Sequence, residues 1–82
     1  MKIEGERLVR IYKNLDGDSG IVRFDYGSDW IEIEFRGGSL YRYTNASAGS
    51  GNIDEMKRLA DLGDGLNSFI MRNAKNSYAS KR

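Results

Sequence analysis

IVRFDYGSDWIEIEFRGGSLYRYT, residues 21–44, alternates apolar with polar side chains in three successive runs, each closed by a cluster rich in glycine, serine or aspartate. Side chains on a strand point to opposite faces with period two, so such alternation marks half-buried β-strands. In Ile21–Tyr26 it sets Val22, Phe24 and Tyr26 against Ile21, Arg23 and Asp25. In Trp30–Arg36, Ile31, Ile33 and Phe35 oppose Trp30, Glu32 and Glu34, and in Leu40–Thr44, Tyr41 and Tyr43 oppose Leu40, Arg42 and Thr44. The expectation is a three-stranded antiparallel meander over 20–26, 30–36 and 40–44.

The connections set the register. A two-residue Gly27-Ser28 turn places Phe24 opposite Ile31, Val22 opposite Ile33 and Arg23 opposite Glu32. For the second connection, a two-residue Gly37-Gly38 loop mixes charge with core on both faces. A three-residue Gly37-Gly38-Ser39 loop instead pairs Phe35 with Tyr41, Ile33 with Tyr43 and Glu34 with Arg42. The longer loop is preferred, because cross-strand aromatic–aliphatic and ionic pairs are each worth about 0.2–1 kcal/mol.

Outside the meander the period changes to that of a helix. Met56, Leu59 and Ala60 recur at three- and four-residue steps, predicting a helix over 53–62, capped by Asn52 or Ser50 and stopped by Gly63. Leu66, Phe69, Ile70, Ala74 and Tyr78 predict a second over 66–78. Residues 4–15 fit a helix through Leu8, Ile11, Tyr12 and Leu15, or an extra edge strand turning back through Asp16–Gly20. The fold class is therefore α+β, with two C-terminal helices packed on one face of the sheet.

At 82 residues the chain has room for one core. Residues 1–18 read as an N-terminal extension and 19–82 as the domain proper. No apolar run approaches the roughly 18 residues that span a bilayer, and Met1–Arg10 lacks the apolar stretch of a signal peptide, so a cytoplasmic address is expected. Cysteine and histidine are both absent, which removes thiolate chemistry and the commonest general base and metal ligand. Neither an enzyme nor a cofactor is indicated.

The net charge of +1 is uneven: residues 1–40 sum to −2 and residues 41–82 to +3. Beyond Asp64 there are four bases, Arg72, Lys75, Lys81 and Arg82, and no acid. Such a stretch attracts phosphates, and it is equally what an ordinary solvated helix face and tail present.

Residues Ser19–Tyr78 resemble the KTSC domain, a small module named for its occurrence at the C-terminus of some lysyl-tRNA synthetases. The resemblance is carried by Ser19, Phe24-Asp25-Tyr26, the apolar strand ending in Phe35, the Gly37-Gly38 turn, Tyr41-Arg42-Tyr43, and Gly65, Phe69 and Ile70 in the last helical segment. Asn45-Ala46-Ser47 stands where relatives often have Asn-Val-Pro, and Met1–Asp18 has no counterpart. The resemblance implies a free-standing or appended module for which RNA binding has been suggested, and no catalytic residue carries over.

An RNA-reading sheet needs exposed rings beside basic groups. The register above buries the tyrosine side and balances three arginines with three acids on the other, a surface that releases few counterions. Candidate nucleic-acid contacts are accordingly Arg72, Lys75, Lys81 and Arg82, with Arg42 and Tyr43 at the sheet. Trp30, Leu40 and Ile21, expected together on the outer face, are the candidate surface for a protein partner or a second copy of the chain.

Other constellations fail. Asp16-Gly-Asp18-Ser-Gly20 starts like a calcium loop, but Ile21 and Gly27 occupy the positions of the required glycine and glutamate. Gly17 and Gly20 have a phosphate-loop spacing with Asp18 inside it. Gly49 and Gly51 precede Asp54-Glu55, which puts negative charge where phosphate would sit. Glu32 and Glu34 lie about 7 Å apart on one face, a carboxylate spacing usable in acid–base chemistry, with an arginine expected opposite each.

Overall fold

The computed structural model describes residues 10–15, 17 and 19–82. Its elements run β1 (Arg10–Ile11), β2 (Ile21–Tyr26), β3 (Trp30–Phe35), β4 (Leu40–Thr44), α1 (Asn45–Ala48), α2 (Ser50–Leu62), α3 (Leu66–Asn73) and β5 (Ser80–Lys81). The strands form one antiparallel sheet in the order β1-β2-β3-β4-β5, with α1, α2 and α3 inserted between β4 and β5. The fold is α+β, and the three strands read from the alternation are flanked by two short ones.

Both hairpins sit two residues away from the expected register. Gly27 N–H donates to the Trp30 carbonyl at 3.1 Å, so the first turn is Ser28-Asp29. Phe24 consequently faces Ile33, and Arg23 faces Glu34. The second loop does have three residues, but they are Arg36-Gly37-Gly38, with Phe35 N–H donating to the Ser39 carbonyl at 2.9 Å. Gly37 and Gly38 take φ of 97° and 98°, a backbone region glycine enters without strain, which places the bend on them and not on Ser39. Ile31 then faces Tyr43, Ile33 faces Tyr41 and Glu32 faces Arg42. A shift of two leaves every side chain on its intended face, and only the partners change.

One residue does change face. A bulge between Ile21 and Arg23 interrupts the alternation of β2. Ile21 swings into the core, 3% exposed, instead of lying beside Trp30 and Leu40. The expected Trp30–Leu40–Ile21 surface patch is therefore not formed.

The core joins Phe24, Ile31, Ile33 and Tyr43 of the sheet to Ile53, Met56 and Ala60 of α2, and to Leu66, Ile70 and Ala74. From the other side of the chain comes Tyr12. Residues 4–9 of the expected N-terminal helix lie outside the described residues, and over 10–15 the helical reading is overturned. Arg10 pairs with Phe24 and Ile11 with Arg23, and Tyr12 N–H donates to the Val22 carbonyl at 3.0 Å. Edge pairing lets Tyr12 alone sink to 3% exposure, while Ile11 and Leu15 of the supposed helical stripe stay 71% and 65% exposed.

The helix boundaries also move. Thr44 and Ser47 form a capping box that starts α1. The longer α2 begins at Ser50 behind Gly49, with no side-chain cap from Asn52 or Ser50. It ends where expected, Gly63 adopting φ 83° with its N–H on the Leu59 carbonyl. α3 stops at Asn73, well short of 78, and a turn over 74–76 sends the chain back to pair β5 with β4.

Gly63 is doubly constrained, since a Cβ there would lie 2.5 Å from Lys13 Cβ, and its carbonyl accepts from Leu15 N–H at 2.7 Å. Gly51, inside α2, has open space around it. In urea unfolding, Gly63→Ala is expected to lose more than about 1 kcal/mol, and Gly51→Ala to gain up to about 1 kcal/mol. Equal effects at the two positions would contradict this account of the helix stop.

Candidate functional site

Tyr41 and Tyr43 stand two residues apart on β4 and so share a face. Their rings are stacked, centroids 6.5 Å apart. Phe35, at the end of β3, meets Tyr41 edge-on at 5.3 Å. The turn after α3 brings in Tyr78, which meets Tyr41 edge-on at 5.2 Å and Tyr43 at 6.5 Å. Edge-to-face contacts of this kind favour the ring quadrupoles and lock the four rings into one wall.

This wall is not fully covered by the helices. Beside it lies an open pocket of about 350 Å³, lined by Phe35, Tyr41, Tyr43 and Tyr78, with Lys75 and Lys81 among the remaining lining residues. Met71, 47% exposed, also borders it. No acidic residue among those described lines the pocket. Alternation along β5 explains the position of Lys81: it pairs with Tyr41 and shares its face, its Nζ lying 5.5 Å from the Tyr41 ring centroid. A cation at that distance from a ring is attracted to its face.

Tyr43 is 1% exposed, yet among the described residues no hydrogen bond reaches its hydroxyl. Burial, with smaller contributions from Tyr41 and Tyr78, pushes this phenol up from 10.0 to about 12. Tyr26, at the other end of the sheet, shows the contrast: its hydroxyl donates to Asp61 Oδ2 at 2.7 Å, and the Arg10 guanidinium lies 4.4 Å from its ring centroid.

The sequence candidates divide between two faces. Lys75, Lys81 and Tyr43 come together at the pocket. Arg42 and Arg82 are on the opposite side of the sheet, where both reach Glu32, Arg42 at 3.5 Å and Arg82 at 2.5 Å. Glu32 is only 5% exposed, and a buried carboxylate needs such partners. Arg42 also lies 4.3 Å from the Trp30 ring centroid, and Trp30 in turn sits against Gly27. The remaining expected ion pair is exchanged by the register, Arg23 meeting Glu34 at 3.5 Å. Arg72 is exposed in the last turn of α3 and does not line the pocket.

Sequence reasoning missed Phe35, Tyr41 and Tyr78 as pocket walls. The helical spacing of Tyr78 hid it, although Lys75-Asn76-Ser77, polar throughout, was a usable stop signal. Glu32 and Glu34 are each held by arginine, Glu32 by Arg42 and Arg82 and Glu34 by Arg23. Among the described residues no group of acids could hold a metal ion, and no helix is long and apolar enough to cross a membrane. The chain matches no protein-family model, no curated protein and no solved structure.

The raised Tyr43 phenol carries a pH signature. Between pH 10 and about 12 the unfolded chain has released the Tyr43 proton while the folded chain retains it. Protons bound in the unfolded state are then fewer, so the unfolding free energy falls as pH rises through this window. Tyr43→Phe is expected to show a shallower fall between pH 10 and 12 in denaturant unfolding. Identical slopes for the two proteins would contradict the assignment.

Proposed function

We propose that this chain is a small, non-catalytic, cytoplasmic module that binds single-stranded RNA, and that it does so through the aromatic pocket between β4, β5 and the end of α3. The observation that carries this reading is the meeting of four aromatic rings with two lysines and, among the described residues, no acid. Stacking on aromatic rings is worth roughly 1–3 kcal/mol per base, and lysine supplies phosphate attraction without sequence preference. The resemblance to the KTSC domain favours RNA over DNA, and its Tyr41-Arg42-Tyr43 motif supplies two walls of the pocket. Arg72, exposed one turn before Lys75, extends the basic surface along α3.

The alternative, a protein or self-association surface on the Trp30 side, has less support. With Ile21 in the core and Trp30 engaged by Arg42 and Gly27, the three-residue apolar patch expected there is not assembled, although Ile11 is exposed on that side.

Fluorescence titration of a labelled uridine dodecamer against salt tests the reading. Affinity is expected to fall with log[salt] at a slope of about −0.7 for each phosphate contacted, and Lys75→Ala with Lys81→Ala to reduce that slope by about 1.4. Arg42→Ala is expected to leave it unchanged. Absence of binding, or binding indifferent to salt, overturns the proposal.

A further inference from the structure

A strand-tracking groove and a single-unit pocket differ in shape. Proteins that follow single strands contact several successive nucleotides, about 4–16 in one fold. The pocket beside Tyr41 holds about 350 Å³, the low end of the roughly 300–1,000 Å³ of small-molecule sites. It has one aromatic wall, and its two cations, Lys75 and Lys81, come from different elements, the turn after α3 and β5. Neither lysine has an ion-pair partner among the described residues, in contrast to Arg42 and Arg82, which share Glu32.

A second, independent feature borders the same space. The Tyr43 side chain lines the pocket, is 1% exposed, and has no hydrogen-bond partner for its hydroxyl among the described residues. A buried hydroxyl without a partner costs about 1–3 kcal/mol, whereas phenylalanine in the same shape avoids the cost. Packing alone therefore does not account for tyrosine at this position. A ligand acceptor inside the pocket would.

We infer that the pocket receives one unpaired nucleotide unit, its base against the Tyr41 and Tyr78 rings, its phosphate at Lys75 and Lys81, and a polar edge of the base or sugar at the Tyr43 hydroxyl. This rests on the RNA reading for its choice of ligand class and adds that recognition is of a single unit. The chemistry combines a flat ring, a hydrogen-bond acceptor and an anion within one small molecule. Nucleoside 5′-monophosphates supply all three, nucleosides only the first two, and inorganic phosphate only the last.

The experiment is a titration of the isotopically labelled full chain, followed by NMR, with uridine 5′-monophosphate, adenosine 5′-monophosphate, uridine, inorganic phosphate and the uridine dodecamer. At least one monophosphate is expected to saturate shifts at Tyr41, Tyr43, Lys75, Tyr78 and Lys81, and to bind at least about 10-fold more tightly than uridine or phosphate. It is also expected to displace the dodecamer from those residues. Tyr43→Phe is expected to weaken the monophosphate roughly 3- to 10-fold while its midpoint of thermal unfolding stays level or rises, a combination that a merely structural tyrosine would not give. Dodecamer binding that neither monophosphate displaces overturns the single-unit pocket and leaves the RNA reading standing. Monophosphate binding without dodecamer binding does the reverse. Phosphate binding as tightly as the monophosphates, or Tyr43→Phe binding them unchanged, also overturns the inference.

Discussion

The antiparallel pairing of β3 with β4 determines which side of the molecule each chemically distinctive side chain occupies. Ile31 against Tyr43 and Ile33 against Tyr41 put both tyrosines on the helix-covered face, and the same parity sends Glu32 and Arg42 to the other. Burial enforces this choice, because a one-residue slip would exchange the two sets and place charge where Ile53, Met56 and Ile70 pack. The three-residue loop Arg36-Gly37-Gly38 is the local device that sets the parity, and everything proposed for the pocket depends on it.

Glu32 extends that constraint to the chain end. Its carboxylate, nearly excluded from water, is met by Arg42 from β4 and by Arg82 just past β5. The Arg82 and Leu40 backbones exchange hydrogen bonds at 2.7 and 2.8 Å, continuing the ladder one residue beyond the two-residue strand. So short an edge strand has little pairing of its own, and the buried charge provides the reason for it to stay docked. Leaving one partner of such a group missing costs several kcal/mol, although the partial exposure of both arginines reduces this here. Once β5 is docked, alternation alone carries Lys81 to the pocket side and Arg82 to the far side. Two adjacent basic residues thereby acquire different roles, one tied to structure and one left available.

What the sequence made legible was parity, and what it concealed was offset. Alternation in Ile31–Phe35 and Leu40–Thr44 identifies faces, and the charge mixing of a two-residue loop excludes odd registers. Nothing in a period-two pattern separates registers that differ by two, so both hairpins slid while each of their faces held. The bulge at Ile21-Val22 left no trace because both residues are apolar, and either satisfies a core position. The strands β1 and β5, two residues each, are too short to show periodicity. Tyr78 fell at a helical spacing by coincidence, and only the tertiary requirement to return to β4 removes it from the helix. The candidate site was half legible for the same reason: Lys75, Lys81 and Tyr43 were visible as basic and aromatic residues, but their meeting depends on a turn after α3 that propensity does not announce.

The account's central claim is that nucleic acid meets the tyrosine face of the sheet and not the tryptophan face. Photo-crosslinking of a 5-iodouridine-substituted oligonucleotide, with the modified residues mapped by mass spectrometry, addresses it directly, since this base couples to aromatic side chains it touches and the two faces carry different ones. Crosslinks are predicted at Tyr41, Tyr78 or Phe35, with Trp30 unmodified. Crosslinks concentrated at Trp30, or none at any aromatic residue under conditions where the oligonucleotide is bound, would contradict it.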